Sequence, residues 1–129
     1  MTELTIYTDG ASRGNPGPAS IGVSICEAGE EIETISRAIG IATNNIAEYT
    51  ALLEGLEKAV DMQAKVVHFK ADSELMIKQL KGEYKVKNPD IKIIFNKIKN
   101  LVSQISKVSF THVRREYNQR ADTLANLAL

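Results

Sequence analysis

Three acids in this chain sit where the fold could bring them together. Asp9 follows the apolar run Leu4 to Tyr7, Asp72 follows the run Lys65 to Ala71, and Glu48 lies near the start of a stretch with helical periodicity. In an open α/β sheet, ligands bind beyond the carboxyl ends of neighbouring strands, so Asp9 and Asp72 are expected together at one sheet edge. At about 100° per residue, Glu48 falls close to Leu52 and Ala59 and roughly opposite Glu57, which turns it toward the sheet. Each acid alone has a plain explanation, since Asp ends strands as a turn former and Glu near a helix start complements the dipole. Convergence is harder to explain away. Two carboxylates ~4 Å apart repel by ~4 kcal/mol at an effective dielectric of ~20, and such clusters bind cations or share protons.

The elements that must carry these acids follow from the pattern of apolar residues. Leu4 to Tyr7 favours a strand, and Thr8-Asp9-Gly10 leads into a loop rich in Gly and Pro, Gly10 to Pro18. Ile21, Val23 and Ile25 alternate with small residues, Ala28-Gly29-Glu30 turns the chain, and Ile32, Ile35 and Ile39 indicate a third strand with imperfect alternation. Asn44 to Met62 reads as a helix, with Leu52, Leu53, Leu56, Ala59 and Val60 on one arc. Lys65 to Ala71 is a fourth strand, and Ser73 caps a short helix stopped near Leu80 by Lys81-Gly82. Asn88-Pro89-Asp90 opens an amphipathic helix bearing Ile91, Ile94, Ile98, Leu101, Val102 and Ile105. Val108 to Val113 is a fifth strand, and Asn118 begins a last helix with Ala121, Leu124, Ala125 and Ala128 inward.

Composition narrows the field. A chain of 129 residues with 43% hydrophobic content suits one domain, residues 1–129, with a core that needs no disulfide. Cys26, the single cysteine, lies in an apolar run and reads as a buried thiol of a reducing compartment. No stretch approaches a membrane span, and Met1-Thr2-Glu3 lacks a basic segment leading into an apolar one, so a cytoplasmic location is expected. Formal net charge is zero, so any nucleic-acid partner must be held locally. No obligatory protein partner is indicated.

The motifs around the acids resemble those of the type I ribonuclease H family, across essentially the whole chain. Thr8-Asp9-Gly10-Ala11-Ser12 with Gly14-Asn15-Pro16-Gly17-Pro18 is similar to the family's opening motif. Thr43-Asn44-Asn45 with Ala47-Glu48 is similar to the segment that starts its long helix, and Asp72-Ser73 and Asn118 with Ala121-Asp122 complete the set. The resemblance implies a ribonuclease H-like α/β fold, a five-stranded mixed sheet in the order 3-2-1-4-5 with helices on both faces. It also adds a fourth acid, Asp122, which residue type alone would assign to the surface.

What the resemblance implies chemically is cleavage of the RNA strand of an RNA/DNA hybrid by Asp9, Glu48, Asp72 and Asp122 holding two Mg²⁺ ions, with Mn²⁺ as a substitute. An all-oxygen ligand set suits Mg²⁺, and no Cys/His cluster offers a zinc site. Asn15, Asn44 and Glu48 are then the expected readers of the 2′-hydroxyl, and Thr43 and Asn88 the expected holders of a DNA phosphate. Asn15-Pro16-Gly17 is equally a good turn and Asn44 a good helix cap. Lys85, Lys87 and Lys92 are further candidates for phosphate contacts, or a solvated face.

The match is incomplete between the last strand and last helix, where many members carry a loop with a histidine. Only Arg114-Arg115-Glu116-Tyr117 fills that span here. His112 reads as a structural residue of the fifth strand, and Arg115 as the replacement, acting electrostatically because arginine stays protonated. No counterpart of the basic protrusion or of the hybrid-binding domain of some relatives is expected in these residues. Three other readings compete: a feeble relative that only binds nucleic acid, a nuclease of the same fold with another substrate, and a dinucleotide-binding module. The last fails because no G-x-G-x-x-G precedes a helix.

Overall fold

The computed structural model describes residues 2–129; Met1, part of the N-terminal segment considered above, lies outside them. Strands β1 (Glu3–Ser12), β2 (Gly17–Glu27) and β3 (Glu30–Ala42) form an antiparallel meander. Helix α1 (Asn44–Asp61) crosses over to β4 (Val66–Ala71), which lies parallel to β1. Helices α2 (Glu74–Leu80) and α3 (Pro89–Val102) lead to β5 (Lys107–His112), parallel to β4; a 3-10 turn (Arg115–Tyr117) and helix α4 (Gln119–Leu127) follow. The sheet order is β3-β2-β1-β4-β5, the order that the family resemblance implies.

Helix starts follow local chemistry. The Thr43 hydroxyl accepts from the Ile46 N–H, the Ser73 hydroxyl from Met76, and the Asn88 Oδ1 from Asp90 and Ile91, so α1, α2 and α3 each begin on a side-chain cap. Thr43 therefore holds the capping position that the sequence offered to Asn44, which is the first residue of α1. On one face of the sheet, Leu4 and Ile6 of β1 and Ile21, Val23 and Ile25 of β2 are fully buried with Leu52 and Leu56 of α1. Gly55 of α1 lies over Ile6, Val23 and Phe69, so the helix packs on the centre of that face. Helix α4 packs on the opposite face, against Gly22 of β2.

The structure refines four features of the sequence reading. β1 does not stop at Asp9: pairing with β2 continues to Ser12↔Ala19, whereas pairing with β4 stops at Tyr7↔Lys70. The irregular loop shrinks accordingly to residues 13–16. β3 is an exposed edge strand with register shifts at Ala19/Ser20 and Ile25/Cys26, which accounts for its imperfect alternation. α3 ends at Val102, so Ile105 enters the core from the turn beyond the helix. Cys26 is half-buried, because it sits near the end of β2 beyond the cover of α4.

Candidate active site

The unequal pairing of β1 creates the site. β4 ends at Ala71, and the β1 segment beyond Tyr7 has a strand on its β2 side only. Asp9 lies on this unpaired flank, and Asp72 is the first residue past the end of β4. Asp9 pairs with Gly22 and so shares the sheet face covered by α4, while Glu48 comes from α1 on the other face. They meet around the sheet edge where β4 has stopped. Carboxylate oxygens of Asp9, Glu48 and Asp72 all lie within 4.8 Å of one another.

Two glycines allow this approach. A Cβ on Gly10 would lie 2.3 Å from the Ala47 carbonyl carbon and 2.3 Å from the Glu48 nitrogen, so the backbone of α1 rests directly on β1 beside Asp9. A Cβ on Gly22 would lie 2.1 Å from the Ala121 oxygen and 2.5 Å from the Ala125 nitrogen, so α4 rests on β2 in the same way and delivers Asp122. Polar contacts fix the register of α4. Asn118 Nδ2 donates to the Thr8 carbonyl at 2.9 Å, and the Ser20 and Ser36 hydroxyls donate to the Ala125 and Leu124 carbonyls, which lie among the last four of the helix.

Crowding raises proton affinity. Burial, then the charge of Asp72, then a hydrogen bond with Asp122 and the charges of Asp122 and Glu48 push the Asp9 carboxyl up from 3.8 to about 8. Burial, followed by the charge of Asp72, pushes Glu48 up from 4.5 to about 7, against a hydrogen bond from Ser73 that favours the ionised form. Without a cation the cluster therefore keeps protons near neutral pH. A divalent ion is the natural replacement for those protons, and an all-carboxylate donor set fits a hard cation.

A cleft of about 720 Å³ opens over the cluster, lined by the four acids together with Asn44, Arg115 and Asn126. Arg115 thus reaches the cleft from the 3-10 turn, as the sequence suggested, whereas His112 is exposed at the end of β5 and outside the cleft wall. Asn15 is not part of the wall; its Oδ1 accepts the Asn44 N–H at 3.0 Å and so braces a residue that is. Thr43 and Asn88 also lie outside the wall, at the starts of α1 and α3. Gly10, Gly22 and Asn126 were not singled out from the sequence. Only Asn126 carried a signal, the i,i+4 spacing from Asp122 that sets two polar side chains on one helix face.

Residues 7–128 match the family described as "Reverse transcriptase-like". The chain is 44% identical over 124 residues to ribonuclease HI of Halobacterium salinarum, covering 95% of this chain and 62% of that protein. The crystal structure of the Halobacterium RNase H1 superimposes with a TM-score of 0.94 at 41% identity, covering 98% of this chain and 96% of that one. The N-terminal RNase H domain of Rv2228c from Mycobacterium tuberculosis matches with a TM-score of 0.94 at 40% identity and 98% coverage of both chains. LC11-RNase H1, isolated from compost and crystallised in complex with an RNA/DNA hybrid, gives a TM-score of 0.91 at 43% identity, covering 97% of this chain and 95% of that one. The chain spans 35% of full-length Rv2228c and 62% of the Halobacterium enzyme. With one family matched from β1 to α4, and solved relatives above 40% identity superimposing over nearly all of both chains, the chain belongs to the type I ribonuclease H family.

Proposed function

We propose that residues 1–129 act as one catalytic domain that hydrolyses the RNA strand of RNA/DNA hybrids endonucleolytically, with Mg²⁺ as the cofactor and Mn²⁺ as a substitute. The observation that carries this reading is the meeting of Asp9, Glu48 and Asp72 oxygens within 4.8 Å, with Asp122 lining the same cleft. LC11-RNase H1, similar over nearly its whole length, was crystallised with such a hybrid. Divalent ions held by these carboxylates would supply Lewis acidity for hydrolysis of a phosphodiester. Asp9, which feels the charge of all three other acids, would hold the ions together with Glu48, Asp72 and Asp122.

The remaining residues bind and orient. Asn44 presents its amide in the cleft and, with Glu48, suits the 2′-hydroxyl, which both donates and accepts; Asn15 holds Asn44 in place. The Thr43 oxygen accepts from Ile46, which leaves its hydroxyl proton free, and the Asn88 oxygen accepts from Asp90 and Ile91, which leaves its NH₂ free. Two caps with unused donors suit a phosphate of the DNA strand. The permanently charged Arg115 guanidinium stabilises negative charge as it builds on the phosphate, and cannot act as a base. No helix of the described residues is long and apolar enough to cross a membrane, and a cytoplasmic site of action suits a nuclease with a free thiol.

Labelled RNA/DNA hybrid incubated with Mg²⁺ or Mn²⁺, beside single-stranded RNA, RNA duplex and DNA duplex, tests the reading. Cleavage confined to the RNA of the hybrid is expected. An uncut hybrid with both metals would replace the enzyme by a nucleic-acid-binding protein of the same fold.

A further inference from the structure

Asn126 lies one helical turn beyond Asp122 on α4 and lines the same cleft. Its Nδ2 donates to Asp122 Oδ1 at 3.2 Å and to the Asp122 carbonyl at 3.0 Å. Among the described residues no lysine, arginine or histidine forms an ion pair with Asp122, although Arg115 lines the cleft as well. The Asp122 carboxyl is thus tied to a neutral amide and shares its cleft with Asp9.

The chemistry of that amide matters. An arginine or lysine four residues along would orient the carboxylate by neutralising it, and would compete with any cation for the same oxygens. An amide occupies one lone pair and leaves the full negative charge in place. It also has no charge of its own to be stripped of water inside the cleft, and its two bonds to one residue restrict the rotation that would swing the carboxylate away from Asp9.

We propose that Asn126 is a positioning residue that holds the Asp122 carboxylate toward Asp9 and thereby sets how tightly the cluster binds a divalent ion; the inference rests on the metal-dependent reading above. Residues that orient metal ligands typically account for ten- to hundredfold in affinity or activity, and this exposed side chain belongs at the lower end.

Calorimetric titration of the substrate-free protein with Mn²⁺ tests it, using the parent chain, Asn126→Ala, Asp122→Ala and the double variant. Asp122→Ala weakens Mn²⁺ binding, Asn126→Ala reproduces most of that loss at about tenfold, and the double variant is no weaker than Asp122→Ala alone. In hybrid cleavage, Asn126→Ala lowers kcat at limiting metal about tenfold, leaves KM for the hybrid unchanged, and recovers as Mn²⁺ is raised. A parent-like Mn²⁺ isotherm for Asn126→Ala overturns the proposal, as does further weakening when Asn126→Ala is added to Asp122→Ala, since the residue would then act on its own. A parent chain that neither binds Mn²⁺ nor cuts the hybrid overturns the metal-dependent reading and the proposal with it.

Discussion

Asp9→Asn is expected to destroy activity and to make the metal-free protein more stable. The parent Asp9 carboxyl is raised from 3.8 to about 8 in the folded state. A carboxyl raised on folding holds its proton more tightly in the native chain, so its contribution to stability is complete below pH ~4 and is lost as pH climbs toward ~8. At pH 7 the unfolded chain has released a proton that the native chain still holds across about three pH units. At ~1.4 kcal/mol per unit that is ~4 kcal/mol at most, and partial exposure of the cleft to water reduces it to ~2 kcal/mol. Asparagine removes this cost at little structural expense. Its Oδ1 can still accept the Gly10 N–H that Asp9 accepts at 3.0 Å, and its NH₂ supplies toward Asp122 the donor that Asp9 provides only when protonated.

In a domain of this size ~1 kcal/mol moves Tm by about 3–5 °C, so Asp9→Asn should melt about 6–10 °C above the parent in EDTA at pH 7. The gap should close near pH 4 and be widest above pH 8. Millimolar Mg²⁺ should raise the parent's Tm and leave the variant's almost unchanged, because binding to the native state alone adds RT ln(1 + [L]/Kd). Thermal melts followed by circular dichroism at three pH values, with chelator and with Mg²⁺, provide the measurement. A variant no more stable than the parent at pH 8 in EDTA would refute the crowding of these acids, and a gain independent of pH would refute its electrostatic origin.

Gly10→Ala should lower hybrid cleavage at least a hundredfold, because a methyl 2.3 Å from the α1 backbone pushes Glu48 away from Asp9; activity near parent would show that the helix can yield. Arg115→Ala should lower kcat by about 10²-fold with folding intact, against complete loss in Asp9→Asn, and equal turnover for Arg115→Ala and parent removes Arg115 from the mechanism. Thr43→Ala and Asn88→Ala should each cost ~1 kcal/mol of stability as lost helix caps. Both should also raise KM for the hybrid without changing kcat, and an unchanged KM would leave these residues as caps alone.

The four helices and the acids Asp9, Glu48 and Asp72 were legible because each leaves a local trace, whereas the sheet order and Asp122 followed only from the resemblance to the ribonuclease H family. Period 3.6 marks α1, Asn88-Pro89 marks the start of α3, and Asp9 and Asp72 follow apolar runs that a strand must bury. The length of β1 was not legible, since the Gly and Pro that suggest a loop after Asp9 are compatible with a strand paired on one side only. Gly10 reads as a turn glycine for the same reason, and only the packed α1 backbone reveals it as a point of contact. The seating of α4 was equally hidden: Ser20 and Ser36 are ordinary small strand residues until their hydroxyls are found on the last carbonyls of a helix about ninety to a hundred residues later.

Crowded acids and bare backbone contacts are parts of one device. Carboxylates that repel will move apart wherever the structure lets them, and side chains packed against side chains can yield through rotamer changes. At Gly10 and Gly22 no side chain stands between helix and strand, so the Glu48 and Asp122 backbones have no rotamer through which to retreat. The Thr8 carbonyl bound by Asn118 pins α4 at its other end. The cost of burial, and with it the repulsion, consequently stays in the cluster as raised proton affinity at Asp9 and Glu48 instead of dissipating as displacement. A chain of zero net charge can in this way attract a cation strongly at one point, because attraction there depends on how closely the fold holds a few charges together and hardly at all on how many it carries.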